Sequence, residues 1–334
     1  MRHIIIVAVF VLLTTILVYA GLNMIGLLPE SASAQAETID WLFNIEIIAI
    51  SFLFSLIVVP LIYSLIVFRR RPGDTSDGVY FEGNTRLEII WTIIPLFAVL
   101  ILAYLGAWSL GDTLRTDPQA MTVNVTAFQW AWRFDYPEYG ITTTDLYLPI
   151  DKQVLLKMES PDVIHSFWVP EFRVKQDIVP GRVTELRITP TEFGEYKVRC
   201  AELCGTSHTY MLASVVVVSE SDFANWVEEQ KIEVPDTGEP DASRGEKIAQ
   251  QNGCFACHSL DGSILVGPSW KDLFGSQVEL SDGSTVTADE TFIRESILDP
   301  NATIVAGFPE GAMPQYNLSD QQIDDIIAFI QTLK

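Results

Sequence analysis

Apolar positions crowd into the first third of the chain, where residues 4–28, 47–68 and 89–110 form three stretches without a charged side chain. A bilayer-spanning helix needs roughly 20 consecutive apolar residues. The second and third stretches meet that length without the polar interruptions of a buried soluble helix, and so predict a transmembrane hairpin over residues 37–112. The first stretch admits two readings. Arg2, the apolar run and then Ser31-Ala32-Ser33-Ala34-Gln35-Ala36 have the layout of a secretion signal with a small-residue cleavage site. The run is also long enough for a retained helix, so residues 1–36 are set apart as one or the other. Arg69, Arg70 and Arg71 directly follow the second stretch. The positive-inside rule places them in the cytoplasm. The chain then returns through the third stretch, which leaves everything after residue 110 on the outer face of the membrane.

From Met121 the pattern changes to a period of two. Residues 121–126 alternate, and 154–158, 183–188, 196–199 and 213–218 are similar short runs separated by Pro149, Pro161, Pro180-Gly181, Pro190 and Gly194. Short strands with regular turn signals predict an antiparallel sandwich or barrel over 113–220. Residues 219–240 carry seven acids and one lysine. Their first part suits an amphipathic helix and their Pro/Gly end a linker, set at 221–240. Helical patterns return at 242–251, 289–298 and 319–333. In the last of these Ile323, Ile326, Ile327 and Ile330 mark one buried face, and Ser319 with Gln322 fits a capping box. Residues 241–334 therefore read as a separate all-α module.

Composition sharpens this division. The 334 residues are 49% hydrophobic yet carry a net charge of −22. Such a balance excludes a nucleic-acid partner, which needs a basic face to displace counterions. Four cysteines are too few for a disulfide scaffold of this size, so each invites a metal or redox explanation.

Cys254-Phe255-Ala256-Cys257-His258 is the C-x-x-C-H signal for covalent c-type haem, in which the thiols add to the vinyl groups and the histidine reaches the iron. A zinc site would need a second ligand pair nearby, and no Cys or His follows residue 258. Met313, the one methionine after Met211, is then the candidate sixth ligand, a pairing that raises the haem potential. The second constellation runs from Cys200 to Met211. Cys200, Cys204, His208 and Met211 put two thiolates, an imidazole and a thioether within twelve residues, a soft set that suits electron-transfer copper. A Cys200–Cys204 disulfide is the alternative in an oxidising compartment. A copper pair needs one more nitrogen. His3 lies at the cytoplasmic tip and His258 on the haem, so by elimination His165 supplies it. Two further positions stay open. Glu88, at the start of the third apolar stretch, reads as a helix N-terminal acid or as a proton-pathway carboxylate. Trp130 and Trp132 alternate with Gln129 and Ala131, and so lie on one strand face as core or as functional aromatics.

These motifs together resemble subunit II of the haem–copper oxidases, in the form that carries a cytochrome c domain fused at its C-terminus. The resemblance covers nearly the whole chain after residue 40. It rests on residues 84–95 with Glu88 and Trp91-Thr92-Ile93-Ile94-Pro95, on Gln129-Trp130-Ala131-Trp132, and on His165 with the Cys200–Met211 loop. The resemblance implies a multidomain fold: a transmembrane helical hairpin, a cupredoxin Greek-key barrel and a class I cytochrome c domain. It implies that Cys200 and Cys204 bridge a dinuclear copper centre, CuA. His165 and Met211 would complete one copper, and His208 with the Glu202 carbonyl the other. The Glu202 side chain would approach a magnesium ion at the subunit I interface. Trp130 would be where electrons arrive at the barrel, and Glu88 the mouth of a proton pathway. The expected partners are subunit I, the other oxidase subunits and an external donor, which is a cytochrome c, a blue-copper protein or a respiratory complex. The expected location is a bacterial cell membrane, with both redox domains outside. The expected activity is that of a cytochrome c oxidase subunit, since no spare histidines remain for an oxygen-reducing site. A nitric-oxide-reducing complex and a membrane-tethered electron shuttle are the alternatives.

Overall fold

The computed structural model describes residues 1–78, 80, 82–230, 238–316 and 318–334. Contacts divide the chain into a helical unit, residues 1–31 with 35–115, and a second unit, 32–34 with 116–334.

The helical unit contains three helices long and apolar enough to cross a membrane: α1 (Arg2–Ile25), α2 (Ala34–Val67) and α3 (Thr85–Thr113). α1 is fastened along α2 at both ends. Tyr19 Oη donates to Asn44 Oδ1 at 2.9 Å, and His3 Nδ1 lies 2.7 Å from the Tyr63 hydroxyl. Ser51 and Ser55 are buried, and each donates to the carbonyl four residues back, which satisfies the hydroxyls inside the helix. α3 begins at Asn84, whose side chain accepts the Leu87 N–H, while Glu88 Oε1 accepts the Asn84 N–H at 3.2 Å. These reciprocal bonds satisfy donors that a helix start leaves unpaired.

The second unit opens with ten strands in two five-stranded sheets, ordered β3-β2-β1-β5-β8 and β4-β10-β9-β6-β7. β1 (Met121–Phe128) pairs antiparallel with β2 (Ala131–Tyr136) and parallel with β5 (Val154–Glu159). β10 (Leu212–Val218) pairs antiparallel with β9 (Gly194–Cys200) and parallel with β4 (Leu146–Pro149). β6 (His165–Trp168) lies between β9 and β7 (Lys175–Ile178); β3 (Ile141–Thr143) and β8 (Thr184–Ile188) complete the sheets. The period-two pattern explains the packing. Met121, Val123 and Val125 from one sheet and Val215 and Val217 from the other bury themselves in a common core with Trp132, Phe134 and Phe167. Each such side chain contributes roughly 1.5–3 kcal/mol by leaving water. Residues 32–34 belong to this unit: Ala32 N–H donates to Glu171 O and Ala34 N–H to Thr189 O, and Ser33 is fully buried.

The first part of the acidic stretch, placed in the linker from residue 221 on, forms the expected helix as α4 (Glu220–Gln230). Its Phe223, Trp226 and Val227 join the barrel core, with Trp226 stacked on Tyr147 at 4.5 Å. The barrel therefore reaches further than its charge pattern suggested, and residues 231–237 of the predicted linker lie outside the described residues.

The last part is a helical module built on α5 (Ala242–Gln251), α6 (Glu290–Leu298) and α7 (Asp320–Thr332). Ile323, Ile326, Ile327 and Ile330 are all buried, and the Ser319–Gln322 capping box is formed. The all-α expectation needs one addition, a two-stranded hairpin of β11 (Gln277–Glu279) and β12 (Thr285–Thr287). α5 and α7 cross so closely that a Cβ on Gly245 would lie 1.9 Å from the Asp325 carbonyl oxygen. At the same crossing Arg244 donates to both carboxylate oxygens of Asp325, each at 2.9 Å. Burial pushes the Asp325 carboxyl up, but the hydrogen bonds from Arg244, Asp241 N–H and Gln321 outweigh it and hold the group below its ordinary value.

Candidate metal centres

β9 delivers Cys200 to the edge of the barrel, and β10 resumes at Leu212. The intervening residues form the expected loop, closed at its base where Cys200 N–H donates to the Met211 carbonyl at 3.2 Å. Ala201 N–H donates to Ser166 O, which fixes the loop beside β6 and brings His165 to it. The donor atoms converge. Cys200 Sγ lies 3.7 Å from Cys204 Sγ, 3.8 Å from His165 Nδ1 and 3.2 Å from the Glu202 carbonyl. Cys204 Sγ lies 3.5 Å from His208 Nδ1 and 3.8 Å from Met211 Sδ. Both cysteines are free, and their separation far exceeds the ~2.05 Å of a disulfide. His165, Cys200 and Cys204 are buried, with donor atoms all within 4.8 Å of one another. Two sulfurs, two imidazoles, a thioether and a carbonyl at this spacing fit a soft-metal centre such as copper. The hydrogen bond with Cys204 is the chief reason the Cys200 thiol sits far below its usual pKa; the same bond pushes Cys204 up. Metal binding needs both thiols deprotonated and so releases their protons.

The indoles do more than fill core. Trp130 Nε1 donates to the Cys204 carbonyl at 3.2 Å, and Trp132 Nε1 donates to the Met211 carbonyl at 3.3 Å. Each thus holds one backbone carbonyl of the ligand loop. Trp132 is on β2 as expected, whereas Trp130 sits in the turn before it, after a cis Gln129–Trp130 peptide.

Asp162 is a functional residue that the sequence analysis missed. Its Oδ1 lies 2.9 Å from His165 Nε2 and its Oδ2 accepts the Gln129 N–H at 2.7 Å. Gln129 Nε2 in turn donates to the Cys204 carbonyl at 2.6 Å. One carboxylate thereby links the two limbs that carry the ligands. Burial pushes Asp162 up, but hydrogen bonds from His165, from Val163 and Gln129 N–H and from Ser160 prevail and hold it at about 2. His165 moves the other way: burial lowers its pKa, and bonds to Asp162 and Cys200 raise it above the ordinary value. An acid three residues before a candidate ligand was the available signal.

In the helical module Cys254, Cys257, His258 and Met313 line one cavity, whose walls include Trp270, Phe292, Ile297, Val305 and Tyr316. His258 Nδ1 lies 2.8 Å from the Pro268 carbonyl, and its ring stacks on Trp270 at 5.2 Å. Burial lowers the His258 pKa, and the Pro268 carbonyl can only accept, so Nδ1 donates and Nε2 is left for a metal. Burial pushes the Cys254 and Cys257 thiols up to about 12 and about 11, as two protonated thiols facing an apolar cavity. This combination fits a haem held at its edge by Cys254 and Cys257, with His258 and Met313 on the cavity wall.

The two remaining positions stand apart from these clusters. The Glu88 side chain closes the cap of α3. The Glu202 side chain is exposed, beside an exposed Leu203 and Tyr210.

The comparisons agree with this division. The family described as Cytochrome C oxidase subunit II, transmembrane domain, matches residues 18–111. Cytochrome C oxidase subunit II, periplasmic domain, matches 141–219, and Cytochrome c matches 242–334. Cytochrome c oxidase subunit 2 of Alkalihalophilus pseudofirmus is 32% identical over 325 residues, 93% of this chain and 91% of that protein. The Synechocystis protein of the same name is 36% identical over 264 residues, 65% of this chain and 79% of its own. Among solved structures, the periplasmic domain of subunit II of cytochrome oxidase from Bradyrhizobium japonicum is 30% identical. It matches with a TM-score of 0.33 over 35% of this chain and 97% of its own.

Proposed function

Because the chain belongs to the cytochrome c oxidase subunit II family, we propose that it relays electrons from an external donor through its haem module and barrel to subunit I. There dioxygen is reduced to water, coupled to proton translocation. The single observation that supports this most is the pairing of two complete donor sets, the Cys200–Met211 loop with His165 and the Cys254, Cys257, His258 and Met313 cavity. A haem and a copper pair at these positions would each supply a one-electron carrier.

The residues of the chain have separable tasks in this scheme. Cys200, Cys204, His165, Met211, His208 and the Glu202 carbonyl would hold the copper pair, with the two thiolates shared between the metals. Trp130 and Trp132 keep the loop from moving by holding its carbonyls, which limits rearrangement when the charge changes. Trp130 is also the residue through which electrons arrive at the barrel. Leu203 and Tyr210 expose apolar surface beside the loop, and the exposed Glu202 side chain there would supply a carboxylate to a magnesium ion at the subunit I interface. Glu88, besides capping α3, opens a proton pathway. Arg69, Arg70 and Arg71 keep the α2–α3 connection in the cytoplasm of a bacterial cell and both redox modules outside.

The test uses the purified native complex. Cys200→Ser or His208→Ala should abolish the copper signal in electron paramagnetic resonance and leave the haem c optical spectrum intact. A copper signal that survives both substitutions sinks the ligand assignment. Oxygen and nitric oxide turnover on the same preparation separate an oxidase from a nitric-oxide-reducing complex.

A further inference from the structure

The haem-attachment turn and the copper loop are joined by one small piece of the barrel. Gly253, in the left-handed region at φ +72°, immediately precedes Cys254 and is buried. A Cβ on it would lie 2.4 Å from the Ala131 Cβ and 3.4 Å from the Phe128 ring. Phe128 and Ala131 are directly paired and close the β1–β2 hairpin. The two residues between them are Gln129 and Trp130, whose side chains both donate to the Cys204 carbonyl. Cys257 packs against the barrel core cluster from the module side. Two polar bonds orient the contact: Gln251 Nε2 donates to the Thr142 carbonyl and Lys247 Nζ to the Gln230 carbonyl, each at 3.2 Å. Around them lies a polar cleft lined by residues of both modules, among them Arg133, Asp135, Lys247 and Asn252.

We propose that the haem module seats its Gly253–Cys257 turn on the Phe128–Ala131 hairpin, and that this contact is the surface through which it delivers electrons to the copper loop. The inference rests on the function proposed above and adds where the transfer occurs. A glycine facing an alanine lets the two backbones approach to a distance that a second Cβ would forbid. The hairpin then continues to a copper-ligand residue through hydrogen bonds of 2.6 and 3.2 Å, with no open gap. The contact is bordered by a polar cleft, which is the character of an interface that opens and closes rather than of a permanent core. The transfer itself balances simply: one electron leaves a ferrous haem iron, which becomes ferric, the copper pair gains that electron, and no bond or proton moves.

The experiment takes the full-length chain in detergent with Ala131→Gln, a substitution that fills the space Gly253 occupies, and Gln251→Ala as a milder second variant. Hydrogen exchange at residues 128–131, 142 and 251–257 should accelerate at least tenfold in Ala131→Gln and less in Gln251→Ala. After photoreduction of the haem by a ruthenium complex, copper reduction should slow at least tenfold and severalfold respectively, while the haem spectrum and the copper resonance stay as in the parent. Exchange and transfer rates unchanged in both variants overturn the proposal. Should Ala131→Gln perturb the copper resonance itself, Gln251→Ala decides alone. The exchange measurement requires neither cofactor, so a parent protein lacking haem or copper signals would refute the proposed function and leave the seating contact tested on its own.

Discussion

At the residue scale the copper loop depends on groups that never touch a metal. Asp162 orients His165 through Nε2 and, through Gln129, steadies the Cys204 carbonyl. Loss of such an outer partner typically costs about 10–100-fold in metal affinity. Asp162→Leu is therefore expected to weaken copper binding by about that factor, read by competition with a copper chelator, with the haem spectrum unchanged. Equal affinity in both proteins would reduce Asp162 to a loop residue. Met313 is the corresponding case in the haem module. A thioether opposite histidine raises the potential, so Met313→Leu should alter the haem spectrum and lower the midpoint potential in a redox titration. If neither changes, the sixth ligand is another residue.

At the scale of elements, the α5–α7 crossing is held by one glycine and one ion pair. Arg244 and Asp325 are both nearly buried, and breaking such a pair from one side costs about 3–5 kcal/mol because the other charge stays behind. The folded pKa of Asp325 is depressed, so its contribution is complete above the ordinary carboxylate range and is lost as pH falls through that range towards the folded value. Asp325→Asn should thus lower the melting temperature of the haem module strongly at pH 7, with the gap from the parent closing as pH drops towards 3. A gap independent of pH would mean that packing, not charge, sets the effect. Periodicity made these helices legible: the α7 isoleucines and its capping box needed no tertiary information. β1, β5, β8, β9 and β10 were legible for the same reason. β6 and β7 were not, because each is four residues long and their polar side chains obscure any alternation. α4 was legible as an amphipathic helix but its place was not, since seven acids in 219–240 point to a solvated linker while three side chains, Phe223, Trp226 and Val227, decide where it packs. The candidate ligand residues stood out because cysteine, histidine and methionine are scarce here. Asp162 did not, because its one mark among 43 acids is a place three residues before His165, and that spacing gains meaning only once the chain folds the carboxylate onto the imidazole.

At the scale of the whole molecule the net charge of −22 is not evenly shared. Residues 1–110 carry −3 and 111–218 carry −4, whereas 219–240 carry −6 and the haem module, 241–334, carries −9. The apolar third and the acidic third are thus opposite ends of the sequence, and an average over both describes neither. The consequence is kinetic. A concentrated negative charge around the haem module attracts a basic donor over a distance set by salt, about 10 Å at 0.1 M ionic strength. It raises the encounter rate more than the affinity. The seating contact uses the attachment turn, so a donor meets the module on its remaining, acidic surface. Oxidation of a basic donor such as a cationic cytochrome should therefore slow steeply as ionic strength rises from 0.01 to 0.3 M, by about tenfold or more, while oxidation of a neutral small-molecule reductant stays flat. Stopped-flow rates for both donors at each salt concentration make the comparison. A basic donor as insensitive to salt as the neutral one would assign the acidity to solubility and leave recognition of the donor to short-range contacts.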